Sequence, residues 1–289
     1  MFEAISLLAW LAAASGALGS AIDPLTQPIT TSRSSEWLAP AVPEKIFGNS
    51  YLVGFGGLSV ALIDTGDGLV LIDGALPQAA PAILANVRAL GFDPKDIKFI
   101  LSTEPHFDHA GGLAALARDT GATVVASARG AEGLRSGQHA ADDPQLAYGG
   151  SWPAVSRLRV MQGGDVLKLG RTAITAHATP GHTMGSMSWS WRACEDVACK
   201  EIVFASSLNP VSADDYKFSS PAGAPFVAGF GQSHRTMETL PCDILISAHP
   251  DNAGDERYNA APGACRAYAD RSRKALAKRL AAEKAEGAK

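Results

Sequence analysis

Within six residues, Glu104-Pro105-His106-Phe107-Asp108-His109, the chain sets four side chains able to bind a metal, spaced i, i+2, i+4 and i+5. Imidazole suits zinc, and carboxylates join it readily. Neighbours on one face of a helix sit three or four apart, so a helix does not aim this set at one point. A loop does, and Pro105 biases Glu104 towards extended backbone, which argues against a helix through the start of the run. Four donors are too many for one ion with an open coordination position once distant ligands join. Two distant donors stand out: His182 in the turn Thr179-Pro180-Gly181-His182-Thr183, and His249 closing the run Asp243-Ile-Leu-Ile-Ser-Ala-His249-Pro250. The pool of four His and two carboxylates suffices for two sites of three protein ligands, each keeping a position for water as a catalytic site requires. A lone Asp or His at a strand end is usually just hydrogen-bonded; four in one loop point to metal.

Such a loop needs rigid supports. Residues 96–102 read as a short buried strand leading in, and 112–118 as a helix leading out. Ahead of them, 45–55, 58–65 and 69–73 read as successive strands, separated by Gly56-Gly57 and Gly66-Asp67-Gly68, and 79–90 as a helix. A strand at 124–126 and a helix at 129–136 precede a long loop, 138–151, over the site. Strands follow at 157–161, 165–169, 172–177, 186–191 and 201–205. A helix at 226–239, a strand at 243–248 and a helix from 262 to about 283 complete the chain. Hairpins followed by βα units, occurring twice, predict an α/β, four-layer αββα sandwich with the metal at one edge. His177 in a strand, His139 in a polar loop and His234 in a helix read as core or surface histidines rather than ligands.

At 289 residues, one large domain or two would fit, and the 46% hydrophobic share supplies a substantial core. A net charge of −4 and a pI of 6.0 give no reason to expect nucleic-acid binding. The apolar run starting at Ile5 is too short to span a bilayer comfortably, and small residues follow it to Ala21. Residues 1–21 read as a secretory signal, although Met1-Phe2-Glu3 carries no Lys or Arg. Residues 22–36 read as an exposed leader and 37–289 as a single domain, with the mature protein a periplasmic monomer without a stable membrane span. Four Cys permit three pairings. Cys194 with Cys199 and Cys242 with Cys265 are preferred, because each closes a local loop, and such bonds suit an exported chain.

EPHFDHAGG, TPGHTMGS and SAHP, in that order, resemble the metal motifs of the metallo-β-lactamase superfamily. Trp37-Leu-Ala-Pro, Tyr51-Leu-Val-Gly, Ile72-Asp-Gly and Ser207-Leu-Asn-Pro are similar to the B3 subclass of β-lactamases. The resemblance runs from about Trp37 to the C-terminal helix. It implies two Zn²⁺ per chain, the first held by Glu104, His106 and His182 and the second by Asp108, His109 and His249. It further implies hydrolysis of a small-molecule β-lactam by a metal-bound hydroxide. Asp108 would orient the nucleophile, Ser207 and Asn209 would hold the substrate carboxylate, and Trp37 would wall the groove.

Other branches of that superfamily hydrolyse lactones or thioesters, and many members bridge their metals with an acid on the strand after the His182 turn. Residues 204–209 contain no acid; Ser206 and Ser207 stand there. A hydroxyl is a much weaker bridging ligand, which favours the B3-like reading over a lactone or thioester hydrolase. A weakly active periplasmic zinc-binding protein is the third reading, motivated by Glu104, because the family's usual first motif begins with His. The substitution takes two Zn²⁺ with their carboxylates from +3 to +2. It is expected to weaken Lewis acidity and zinc affinity, so that Glu104→His would bind zinc more tightly.

Overall fold

Leu69–Ile72 sets four aliphatic side chains in a row, a pattern that fits a strand covered on both faces. In the computed structural model it is a strand buried at all four positions. The structure describes residues 23–254 and 256–287; the signal expected at 1–21 lies outside them.

Seven strands form the first sheet in sequential order: β1 (Glu44–Phe47), β2 (Ser50–Leu52), β3 (Ala61–Asp64), β4 (Leu69–Ile72), β5 (Ile97–Leu101), β6 (Thr123–Ala126) and β7 (Leu158–Val160). Neighbours are antiparallel up to β4 and parallel from β4 to β7. The second sheet contains β8 (Val166–Leu169), β9 (Thr172–Ala178), β10 (Met187–Glu195), β11 (Ala198–Ala205) and β12 (Ile244–Ser247), in the order β12-β11-β10-β9-β8. Only β11 and β12 pair in parallel there. The helices are α1 (Ser34–Trp37), α2 (Ala80–Ala89), α3 (Phe107–Ala110), α4 (Leu113–Thr120), α5 (Ala128–Ser136), α6 (Ala224–Thr239), α7 (Pro250–Ala253) and α8 (Ala264–Gly287).

Alternation of side chains gives each sheet two apolar faces. Ile63 and Ile72 from one sheet meet Trp189, Phe204 and Ile246 from the other. On the outer face of the first sheet, Leu62, Leu71 and Ile100 cluster with Ile83 and Val87 of α2 and Leu113 and Leu116 of α4. Outside the second, Val203 and Leu245 cluster with Met237 of α6 and Tyr268 of α8. These contacts make the four-layer αββα sandwich expected from the element order. The expected disulfides both form, Cys194–Cys199 across the β10–β11 hairpin and Cys242–Cys265 between the approach to β12 and the start of α8.

Three expectations need correction. The strand expected at 45–55 breaks into the β1–β2 hairpin, because Gly48 takes φ +56 and a Cβ there would lie 2.7 Å from the Cys194 carbonyl. The metal loop is not irregular throughout, since Asp108 and His109 sit in the one-turn helix α3. The exposed leader at 22–36 is instead a half-buried strap in its described part. Leu25 and Ile29 pack on the first core layer, Gln78 exchanges hydrogen bonds with the Ile29 backbone, and Arg33 pairs with Asp251 at 2.9 Å. Its two aliphatic side chains draw in a segment whose composition is otherwise polar.

His234 on α6 is buried and hydrogen-bonded at 2.8 Å to Ser272 of α8. Burial, helped by the Arg273 charge, pushes its imidazole down to about 4. The unfolded chain takes up this proton below about 6.5, whereas the folded chain refuses it until about pH 4. Stability contributed by the neutral form is therefore lost as pH falls through that window, by at most about 1.4 kcal/mol per pH unit. Denaturant midpoints measured from pH 7 to 4 should fall less steeply for His234→Gln than for the native chain.

Candidate metal centre

The six candidate ligands all follow the C-terminal ends of strands. β5 lies between β4 and β6, both parallel to it, and its continuation carries Glu104 and an extended His106 into α3. After β9 the chain turns at Gly181, whose φ is +136 and where a Cβ would lie 2.7 Å from the Phe230 ring. Glycine at that position lets the turn close against α6 and present His182. β12 ends at Ser247, and His249 caps α7 in extended conformation.

All six side chains are buried. Among these six, two groups of three have ligand atoms within 4.8 Å of one another: Glu104, His106 and His182, and Asp108, His109 and His249; a third such group joins His106 to His139 and Asp143. In the second group the separations are 3.0 Å between the His109 and His249 Nε2 atoms, 3.2 Å from Asp108 Oδ2 to His249 and 3.6 Å from it to His109. A tetrahedron with bonds of about 2.0–2.1 Å has edges of about 3.3 Å, so these three atoms already sit as a divalent metal would require. The resemblance implied the same trios, and the fold brings the side chains of each together.

Three of the four rings are also oriented from behind. His106 Nε2 donates to Asp143 Oδ2 at 2.9 Å, which leaves Nδ1 for the first site. His182 Nδ1 donates to the Asn209 carbonyl at 2.8 Å, leaving Nε2 free. Asp73 Oδ2 lies 3.3 Å from His109 Nδ1 and is itself held by the Thr103 hydroxyl at 2.6 Å. Asp73 has φ 65, a conformation uncommon outside glycine that recurs where geometry at a site is over-determined. The Gln145 amide nitrogen lies 3.4 Å from His106 Nδ1 and 3.2 Å from His182 Nε2, a donor where the first trio would meet a cation.

Charge follows the same pattern. Burial opposes ionisation of Glu104, but His109, His182 and His106 hold its carboxyl below the usual range. Burial likewise disfavours the charged His109, yet Asp108, Glu104 and Asp73 raise it to about 10. A cluster that keeps its acids ionised and holds a proton among its imidazoles in the absence of metal is one that metal binding would deprotonate.

A cleft of about 590 Å³ opens over both trios, lined among others by Trp37, Phe107, Tyr148, Asn209 and Val211. Trp37 stands with its ring centroid 5.7 Å from that of His249. Ser207, expected at the substrate, is fully buried instead, and its N–H donates to Glu104 Oε2 at 2.9 Å. His177 and His234 are hydrogen-bonded to Ser190 and Ser272 as ordinary structural histidines. His139 is closer to the site than expected: it packs 5.0 Å from the His106 ring, with its Nδ1 3.9 Å from Asp143. Asp143 and Gln145 were not singled out from sequence, and Asp73 was noted only within the Ile72-Asp-Gly motif, without a role. An acid directly after an aliphatic strand was a usable signal for Asp73; Asp143 and Gln145, 37 and 39 residues from His106, left none.

The metallo-beta-lactamase superfamily profile matches residues 46–249. A solved B3 metallo-beta-lactamase described as having an active-site glutamic acid is 74% identical. The match covers 91% of this chain and 99% of that one, with a TM-score of 0.90. The Rm3 metallo-beta-lactamase is 42% identical over 89% of this chain and 100% of its own, at 0.84. BJP-1, a subclass B3 enzyme of Bradyrhizobium japonicum, is 32% identical over 88% and 99%, at 0.78. Among curated relatives, hydroxyacylglutathione hydrolase of Anaeromyxobacter dehalogenans (strain 2CP-C) is 34% identical over 49% of this chain and 41% of that protein. The uncharacterized protein YobT of Bacillus subtilis (strain 168) is 33% identical over 44% and 54%. The chain thus spans about half the length of the curated relatives it matches.

Asp143 is expected to act on metal only through His106. Asp143→Asn should lower divalent-metal affinity by about 10- to 100-fold in competition with a chelator, with the circular dichroism of the fold unchanged. Unaltered affinity would show that the His106 ring needs no such support.

Proposed function

The chain belongs to the metallo-beta-lactamase superfamily, and from that premise we propose that it hydrolyses the β-lactam amide bond as a B3-type enzyme with two zinc ions. The observation that carries this reading is the pair of buried ligand trios at the floor of one cleft. The likeness to B3 structures across 86% or more of the chain supports it.

Glu104, His106 and His182 would hold the first ion, and Asp108, His109 and His249 the second. When bound, zinc supplies a Lewis acid for the lactam carbonyl and lowers the pKa of coordinated water to about 7. The protein does the rest. Burial works against the Asp108 carboxylate, but His109, His249 and His106 keep it ionised far below the usual range, so it is available as an acceptor that orients the attacking water. Trp37 and Phe107 offer an apolar wall to the substrate. Asn209, on the cleft lining, is the remaining contact for the substrate carboxylate, since Ser207 serves Glu104 from below. The reaction needs no serine nucleophile.

Lactone or thioester hydrolysis is the competing chemistry. The stretch 204–209 offers no acid between the sites, and the hydroxyacylglutathione hydrolases match only part of their own length, which leaves that reading weaker. No helix among the described residues is long and apolar enough to cross a membrane, and all four cysteines are paired, which suits an oxidising compartment. The reading therefore includes export to the periplasm, with 37–289 acting as one domain and a monomer.

Purified zinc-loaded protein should turn over nitrocefin or a carbapenem, lose that activity in EDTA and regain it with zinc. Asp108→Asn should reduce kcat by at least about 100-fold. A zinc-loaded chain inert on penicillins, cephalosporins and carbapenems would sink the proposal, and a higher kcat/KM on thioesters would favour the competitor.

A further inference from the structure

Glu104 is divided between two surroundings. Its Oε2 accepts the Ser207 N–H at 2.9 Å. Its Oε1 is buried and accepts no hydrogen bond. That oxygen lies 3.1 Å from His109 Nε2 and 3.5 Å from His182 Nε2. His182 belongs to the first trio and His109 to the second. Both separations are close to the tetrahedral edge of about 3.3 Å, so one oxygen stands at ligand distance from a donor of each site.

An imidazole nitrogen has a single lone pair for a metal, whereas a carboxylate oxygen has two. A histidine at this position would serve one ion only. We infer that Glu104 Oε1 is shared by both metal ions, making Glu104 a bridging ligand between the sites and not a ligand of the first alone. The inference rests on the two-ion reading above. A shared anionic oxygen also reduces repulsion between the two cations, so removing its charge weakens both sites at once. A ligand of the first site alone would lose its direct bond there, and the second site would lose only the weaker through-space attraction.

The expected outcome is specific. Zinc titrated into the metal-free native chain, against a chromophoric chelator at fixed pH, yields two stepwise constants. Glu104→Gln, which keeps the side-chain shape and an acceptor for Ser207, should lower both by about 10-fold or more. Glu104→His should restore the first while leaving the second weak, which replaces the uniformly tighter binding expected from counting charge alone. In a crystal structure of the zinc-loaded native protein, Oε1 should lie about 2.0–2.2 Å from both ions. A loss confined to one stepwise constant in Glu104→Gln, or an Oε1 bound to a single ion, overturns the bridge. A native chain that binds only one zinc overturns the two-ion reading itself, before any variant is compared.

Discussion

Two carboxylates and four imidazoles converge at the buried floor of a cleft, and this convergence constrains the rest of the structure. Ionised acids without solvent need compensation. In the metal-free chain the compensation is local: His109 holds a proton between Asp108, Glu104 and Asp73. That arrangement is electrostatically complete only while a positive charge stays among the acids. A divalent ion can replace the proton, which is why a cluster this buried reads as a metal centre instead of a chance group of polar residues.

Holding such a cluster takes rigid supports on several sides. β5, β9 and β12 come from two different sheets, so the packing of one sheet on the other sets the distance between the EPHFDH loop and its distant partners. Trp189, Phe204 and Ile246 in the inter-sheet core thereby act on the chemistry without touching it. The backbone at Asp73 and Gly181 shows the same demand locally. Both take positive φ, one to bring a carboxylate under His109 and the other to let the His182 turn close against Phe230.

The residue at position 104 changes the balance of this centre. A histidine would bring a neutral donor fixed by its ring. The carboxylate brings a charge, a second oxygen anchored by the Ser207 backbone, and a free oxygen facing both trios. Ser207 thereby supports Glu104 from below, and the cleft above is lined by Trp37, Phe107 and Asn209.

The division of the six candidate ligands into trios followed from the family resemblance; the sequence by itself determined the sandwich, the six candidates and both disulfides. Those features are written in local signals: aliphatic runs and glycine turns for the strands, dense donor spacing for the loop, and short loops for the cysteine pairs. It did not determine the strap at 23–36, because two aliphatic residues in a polar stretch say nothing about where they dock. Nor did it reveal Asp143, Gln145 or the position of His139, which reach His106 through a loop without periodicity. Only the tertiary structure decided which oxygen of Glu104 faces which histidine. Sequence spacing can show that donors meet; the relative placement of two sheets sets the tenths of an ångström that decide whether an oxygen serves one ion or two.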